Sequence, residues 1–397
     1  MGRSTSQENA DRTEEPPGAL LDWVIVGGGP HGVCAARALV ALGQKLRIVE
    51  PSGELLHRWS ARAGEVDMTS MRSPASDHLD NAPVSLHHFL HRPEHADVAT
   101  LAGVYRRPTL GAFQRHSQDV IDRHGLGQLL VRGRVHGIQA DGDHLLVEGE
   151  GVELRAQRVL VATGSNRARV PAWAQRLRSD GAPIGHVFDG DAGWDHDLIG
   201  GGISAVQRAL MVHRKSGKPV RIWTRSPIRV ADFAFDKDWS KHRFAARWAK
   251  LTELDRLDFL ARYGIGGSVP GGLEKRLRAA VRRGSIVLRQ EIPEVTWEAS
   301  RKKLVLRSRE ESIESEGITL VTGLEPEQIS GWLQETAERL ELPTIQGLPR
   351  LDDDMHWGSG IHISGPLARL RLGPMASQIV GARWATSKLP GVRMQPV

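Results

Sequence analysis

The segment Gly27-Gly28-Gly29-Pro30-His31-Gly32 constrains what this chain can fold into more than any other feature. It follows an apolar run, Leu21–Val26 (LDWVIV), and opens an alanine-rich stretch, Val33–Leu42, that Gly43 stops. An apolar run ending in glycine predicts a buried strand, and the stretch behind the glycines predicts a helix. A second strand pattern, Lys45–Val49 (KLRIV), ends at Glu50. Strand, glycine turn, helix and strand together predict a parallel βαβ unit that binds a dinucleotide. Gly27 permits the tight turn, and Gly32 lets the helix pack close to the sheet. Gly29 lets the backbone approach a pyrophosphate, whose charge then sits on the helix N-terminus. Glu50 is placed to accept hydrogen bonds from a ribose. An acid there suits an unphosphorylated ribose, hence FAD or NAD rather than NADP.

A second glycine turn, Gly200-Gly201-Gly202-Ile203-Ser204-Ala205, matches G-x-G-x-x-A and also precedes a helical stretch. The strand pattern after it, Val220–Thr224, is followed by Arg225 rather than an acid. A guanidinium at that place pairs with a 2′-phosphate, which points to NADPH. The strand in front of this turn is thin, only Leu198-Ile199 behind His196-Asp197, and that thinness favours a decayed or purely structural turn. Arg158–Ala162 (RVLVA) is another buried-strand pattern, followed by Thr163-Gly164, and fits a segment returning to the first unit. Glu153–Arg155 reads as a separate short strand before it. Near the C-terminus, Ser364-Gly365-Pro366 and Gly373-Pro374 precede a helix expected from about Met375. Its N-terminus either faces a flavin or simply docks the chain end.

Composition narrows the function classes. The chain has 397 residues, 40% hydrophobic and 25% charged, as a soluble globular protein of two or three domains has,. No apolar run reaches the roughly 18 residues of a membrane span. The net charge of +6 comes from scattered Lys and Arg, which suits phosphate-rich cofactors and solvated surface rather than nucleic acid,. Met1–Gly18 is polar and lacks the apolar segment of a secretory signal, so a disordered tail over residues 1–20 and a cytoplasmic protein are expected,. Cys34 is the sole cysteine. No intrachain disulfide can form, which excludes flavin disulfide reductases that need a redox-active pair. His87 and His91 share a helical face, but no further ligands complete a metal set. Asp352-Asp353-Asp354 likewise lacks the remaining ligands of a cation loop and reads as a solvated turn.

Strand-GGGPHG-helix-Glu50, the ATG at Ala162–Gly164 and the GGGISA at Gly200–Ala205 resemble the two-dinucleotide-binding-domain flavoproteins. Among these the chain is most similar to the NADPH-dependent lysine/ornithine N-hydroxylase-like monooxygenases. Pro83-Val84-Ser85-Leu86 with Phe89-Leu90, and Arg107-Pro108 with Phe113, are similar to segments of that family ahead of its substrate site. The resemblance implies an α/β fold with two Rossmann-like dinucleotide-binding domains. An NADPH domain, residues 191–319, is inserted into a split FAD domain, residues 21–190 and 320–397. It also implies oxygen activated on the flavin and passed to a small amine-type substrate. Carried onto this sequence, Gly27, Gly29, Pro30, His31, Gly32 and Glu50 hold FAD, with Trp59, Met71, Val135, Thr163, Gly164 and Gly365 near it. Gly200, Gly202, Ser204 and Arg225 hold NADPH. The loop Met68–Pro74 is expected beside the flavin ring, with Arg72 as an anion or NADPH contact, or else as a plain connection. Ser364-Gly365 stands where related reductases carry Gly-Asp, and no residue set for an amino-acid substrate's carboxylate and amine is visible. The alternatives are a flavin reductase or oxidase, and a flavin-binding sensor whose second domain has lost NADPH. The sequence assigns no catalytic residue and no metal, and leaves the oligomeric state open.

Overall fold

The computed structural model describes residues 19–98, 101–102, 105–190, 196–263 and 267–393. The tail expected over residues 1–20 lies almost wholly outside them, and Leu20 already opens the first strand. β1 (Leu20–Val26), α1 (Pro30–Val40) and β2 (Leu46–Glu50) form the expected βαβ unit, with Val26 opposite Val49 in parallel register. Trp23, Val24 and Ile25 are wholly buried. A parallel strand covered on both faces needs an unbroken apolar run, and that is what the sequence supplies.

Three helices follow: α2 (His57–Glu65), α3 (Ser85–Leu90) and α4 (Leu110–Arg123). Thr109 caps α4 by accepting the Ala112 N–H at 3.0 Å,. β3 (Leu130–Arg132) joins the edge of β2, and β4 (Arg134–Asp141) and β5 (His144–Glu150) form an antiparallel ribbon. The two strands expected around Glu153 and Arg158 are one, β6 (Val152–Val161). Its first half pairs antiparallel with β5 and alternates in burial; its second half runs parallel to β1 and is covered on both sides. The change of partner changes the sequence pattern mid-strand, which is why it reads as two.

A second sheet begins earlier than residue 191. α5 (Ala172–Ser179) leads into β7 (Ile184–His186), an edge strand of that sheet rather than part of the first unit. Three residues behind Pro183, with Gly185 in the middle, carry too little pattern to be assigned from sequence. β8 (Asp197–Ile199), α6 (Ile203–Ser216) and β9 (Val220–Trp223) repeat the βαβ arrangement. Beyond them lie α7 (His242–Lys250), α8 (Glu253–Arg262), α9 (Gly271–Arg282) and β10 (Ile286–Arg289). β11 (Glu294–Glu298), β12 (Lys303–Arg307) and β13 (Ser312–Ser315) make an antiparallel meander, and β14 (Ile318–Leu320) returns to the sheet, whose order is β10-β9-β8-β14-β7, all parallel.

The thin strand in front of the second glycine turn is therefore complete. β8 has parallel partners on both sides, and its three residues are buried. Its sequence looks poor because its first residue is a buried acid. Asp197 accepts two hydrogen bonds from the Arg221 guanidinium, both at 2.6 Å, one from Trp223 Nε1 at 3.1 Å and one from the Ser315 hydroxyl at 2.6 Å. A buried carboxylate is tolerated where it is paired and its lone pairs are filled. Asp197 thus fastens the meander to the sheet.

The chain end returns to the first sheet. α10 (Trp332–Arg339) packs on β4, and β15 (His356–Gly358) and β16 (Ile361–Ile363) complete the path β15-β16-β6-β1-β2-β3, with β16 parallel to β6. α11 (Arg369–Leu372) precedes α12 (Ile379–Ser387), which packs on α1. The helix expected from Met375 starts at Ile379. Gly373–Ser377 forms a 3₁₀ turn, and Gln378 is extended between the two. No helix among the described residues is long and apolar enough to cross a membrane.

Candidate functional site

β1, β2, β6 and β16 run parallel and end at one edge of the first sheet. That edge gathers Gly27 after β1, Glu50 at the end of β2, Thr163-Gly164 after β6 and Gly365 after β16. Gly27 has φ +115°, and a Cβ there would lie 2.5 Å from the Ala162 carbonyl oxygen. A Cβ at Gly32 would lie 1.9 Å from the Gly27 oxygen. At Gly29 and Gly164, by contrast, a Cβ meets nothing within 4 Å. The motif is closed toward the sheet and open away from it, as a turn that receives a pyrophosphate must be. The Gly28 N–H donates to Glu50 Oε2 at 2.9 Å and the Ser52 hydroxyl to Oε1 at 3.3 Å. Those bonds orient the carboxylate and leave lone pairs for a ribose. These features fit FAD.

Pro30 and His31 open α1. Leu56 donates its N–H to the Gly28 oxygen at 2.8 Å, which seats α2 against the turn; on α2, the Trp59 ring lies 5.0 Å from that of Phe113. Val135 is buried on β4, beside the register shift between Val135 and Gly137. Met71 is buried in the main core, so its side chain is a packing element rather than an open flank of the loop.

Of the two readings of the loop at Arg72, the hydrogen bonds favour the connection. Its guanidinium donates to the carbonyl oxygens of Ala231, Asp232, Phe233 and Ser268, and to the Ser268 hydroxyl, at 2.7–3.3 Å. With these bonds, Arg72 latches the first unit to two loops of the second. Arg107 reinforces it, donating to the Arg72 and Asp232 carbonyls.

The second turn repeats the closure that Gly27 makes in the first. Gly200 has φ +155°, and a Cβ there would lie 2.2 Å from the Val321 oxygen, as one at Gly27 would strike Ala162. Val321-Thr322-Gly323 follows β14 as Ala162-Thr163-Gly164 follows β6. Ser204 lies in the first turn of α6, and Arg225 is exposed just past β9, where a 2′-phosphate would be met,. Besides Ala205 in place of Gly32 and Arg225 in place of an acid, one contact separates the two turns. Gly267 lies against Gly202, so close that a Cβ on Gly267 would be 2.9 Å from the Gly202 Cα. The donors suit NADPH, and the segment at Gly267 narrows the approach to the turn.

Cys34 is buried between α1 and α12, and burial pushes its thiol pKa up. The His87 and His91 rings lie 4.1 Å apart, with His91 Nδ1 bonded to the His87 oxygen, and no cluster among the described residues could hold a metal. Asp352 accepts the N–H groups of Asp354 and His356, making a turn. Sequence reasoning missed Asp197, Gly267 and the contact between His31 and Ser364. The one local signal was an acid heading an apolar strand at Asp197.

A family model described as FAD-NAD(P)-binding matches residues 24–166. A thioredoxin reductase of Peptoclostridium acidaminophilum is 20% identical over 238 residues; the match covers 59% of this chain and 64% of that protein, so the chain spans less than two-thirds of the curated relative's length. Among solved structures, the reduced form of ornithine hydroxylase from Pseudomonas aeruginosa superposes with a TM-score of 0.76 at 18% identity, covering 94% of this chain and 98% of that one. The ornithine N-hydroxylase of Kutzneria sp. 744, solved with reduced FAD, NADP+ and L-ornithine, gives 0.74 at 17% identity with the same coverage. The FAD-bound cadaverine monooxygenase of Erwinia amylovora gives 0.73 at 14% identity, covering 96% of each chain. The chain is thus an α/β protein with the FAD/NAD(P)-binding oxidoreductase fold, built of two Rossmann-like parallel-sheet units. Within that class its architecture follows the amine N-hydroxylases over nearly its whole length.

Proposed function

We propose that this chain is an FAD-dependent, NADPH-using oxidoreductase of monooxygenase type that hydroxylates a small amine-type substrate. The observation that carries this reading is the repeated turn: one chain builds two dinucleotide cradles with the same carbonyl-against-glycine closure, one headed by an acid and the other by an arginine. In the first, Gly27, Gly29, Pro30, Gly32 and Glu50 hold FAD, with His31 buried behind the turn and Trp59, Val135, Thr163, Gly164 and Gly365 around it. Glu50, oriented by the Gly28 N–H, takes the ribose. In the second, Gly200, Gly202 and Ser204 take the pyrophosphate of NADPH, and Arg225 takes its 2′-phosphate. Bound FAD supplies the redox and oxygen chemistry. The Arg72 latch keeps the two units together, so that both cofactors meet across one interface. Similarity to ornithine and cadaverine hydroxylases supports the amine class.

Anaerobic addition of NADPH to the FAD-loaded protein tests the proposal through flavin absorbance. Bleaching is expected. Arg225→Ala should weaken NADPH use about tenfold or more while changing NADH use about twofold at most, because only NADPH carries the phosphate it pairs with. Equal losses would remove Arg225 from that role. A second reading, a flavin-binding protein with no working NADPH site, is favoured by Gly267 lying on Gly202. Tight FAD with no bleaching would select it.

A further inference from the structure

His31 is the one bulky polar side chain in the GGGPHG segment, and its ring is held in an unusual way. It is 8% exposed, and its Nδ1 lies 2.8 Å from the Ser364 hydroxyl, 333 residues along the chain. Ser364 follows β16 and is buried, and its own N–H is committed to the Val161 oxygen. Gly365, next in line, sits with its Cβ direction 3.8 Å from the His31 ring. The other ring nitrogen, Nε2, is buried without a hydrogen-bond partner, on the side of Gln378, the residue that opens α12.

The ring therefore sits where three pieces of the first unit meet: the N-terminus of α1, the turn after β16 and the N-terminus of α12. Two helix N-termini make this a place of positive potential, unfavourable to a cation. Burial pushes the His31 pKa down to about 4, so the imidazole is neutral at physiological pH. A neutral ring has one acceptor and one donor nitrogen. With Nδ1 accepting from the Ser364 hydroxyl, the N–H falls on Nε2, toward Gln378.

We infer that His31 is a positioning residue of the FAD cradle, whose bond to Ser364 sets the spacing between the pyrophosphate-binding turn and the Ser364-Gly365 turn contributed by the far end of the chain. The inference rests on the proposal that the first unit binds FAD. A cofactor that touches both turns is bound well only when their separation is right. The His31–Ser364 bond controls that separation directly, without passing through the sheet.

The test uses the full chain with His31→Leu, His31→Asn, Ser364→Ala and the Leu/Ala double variant. Apoprotein is titrated with FAD by fluorescence quenching, and the flavin midpoint potential is measured by dye equilibration. His31→Leu and Ser364→Ala are each expected to weaken FAD by about tenfold and to shift the potential in the same direction. The double variant should lose no more than either single one, because both remove the same bond. Asn, which offers an acceptor near the position of Nδ1, should recover most of both. Additive losses, no recovery by Asn, or an unchanged affinity and potential would each overturn the inference. If the unsubstituted protein binds no FAD, the proposal beneath it falls instead. Ser364→Ala is the mildest change, so it carries the test if a His31 variant fails to fold.

Discussion

Gly27→Ala should yield a protein that is purified without flavin and is less stable by about 3 kcal/mol. Two costs combine. The backbone at φ +115° is one that an L side chain rarely adopts, at a cost of about 1–3 kcal/mol,. The new methyl would also lie 2.5 Å from the Ala162 oxygen and 2.9 Å from its carbon, which are backbone atoms of a buried strand end and cannot swing aside. Overpacking of that kind costs about 1–3 kcal/mol more. Gly29→Ala separates architecture from ligand contact. Its Cβ meets no protein atom within 4 Å, so urea unfolding of the apoprotein should be nearly unchanged while FAD is lost. If Gly29→Ala keeps FAD at full affinity, the pyrophosphate does not approach there, and the first turn is structural only.

Asp197→Ala should destabilise the second unit by about 3–5 kcal/mol, the usual result of breaking a buried ion pair from one side. Four hydrogen bonds end on this carboxylate. Its loss strands the guanidinium of Arg221 and the indole N–H of Trp223, which is fully buried. It also frees β13 from the sheet, since Ser315 is its other partner. The expected signature is selective: flavin absorbance retained, reduction by NADPH lost, and a new early phase in thermal unfolding. A single unfolding transition at the original temperature would mean that Asp197 does not hold the second sheet together.

The contrast between these two residues marks what was legible in the sequence. Gly27, Glu50 and the final strand's return announce themselves because their chemistry is local: a turn that only glycine can make, an acid one strand later, a strand pattern before a glycine turn with no unit of its own. Asp197 does not, because an acid heading a strand reads as a defect until Arg221, Trp223 and Ser315 are known to face it. Arg72 invites assignment to an anion, since a lone arginine in a loop carries no mark of the carbonyl oxygens of residues 231–233 and 268 that surround it. β7 belongs to the second sheet for a reason that appears only when β14 arrives beside it. Side-chain partners more than 100 residues apart leave no trace in spacing.

Cys34 gives the molecule a built-in stopwatch. It is the sole thiol, fully buried under the contact of α1 with α12, and burial keeps it protonated. A thiol reagent reaches it only in the moments when those two helices part, so the labelling rate counts such openings against no background. Because α1 carries the first glycine turn and α12 closes the same cradle, FAD should slow the labelling in proportion to how tightly it binds. Labelling at one rate with and without FAD would mean that the cofactor does not stabilise this helix pair.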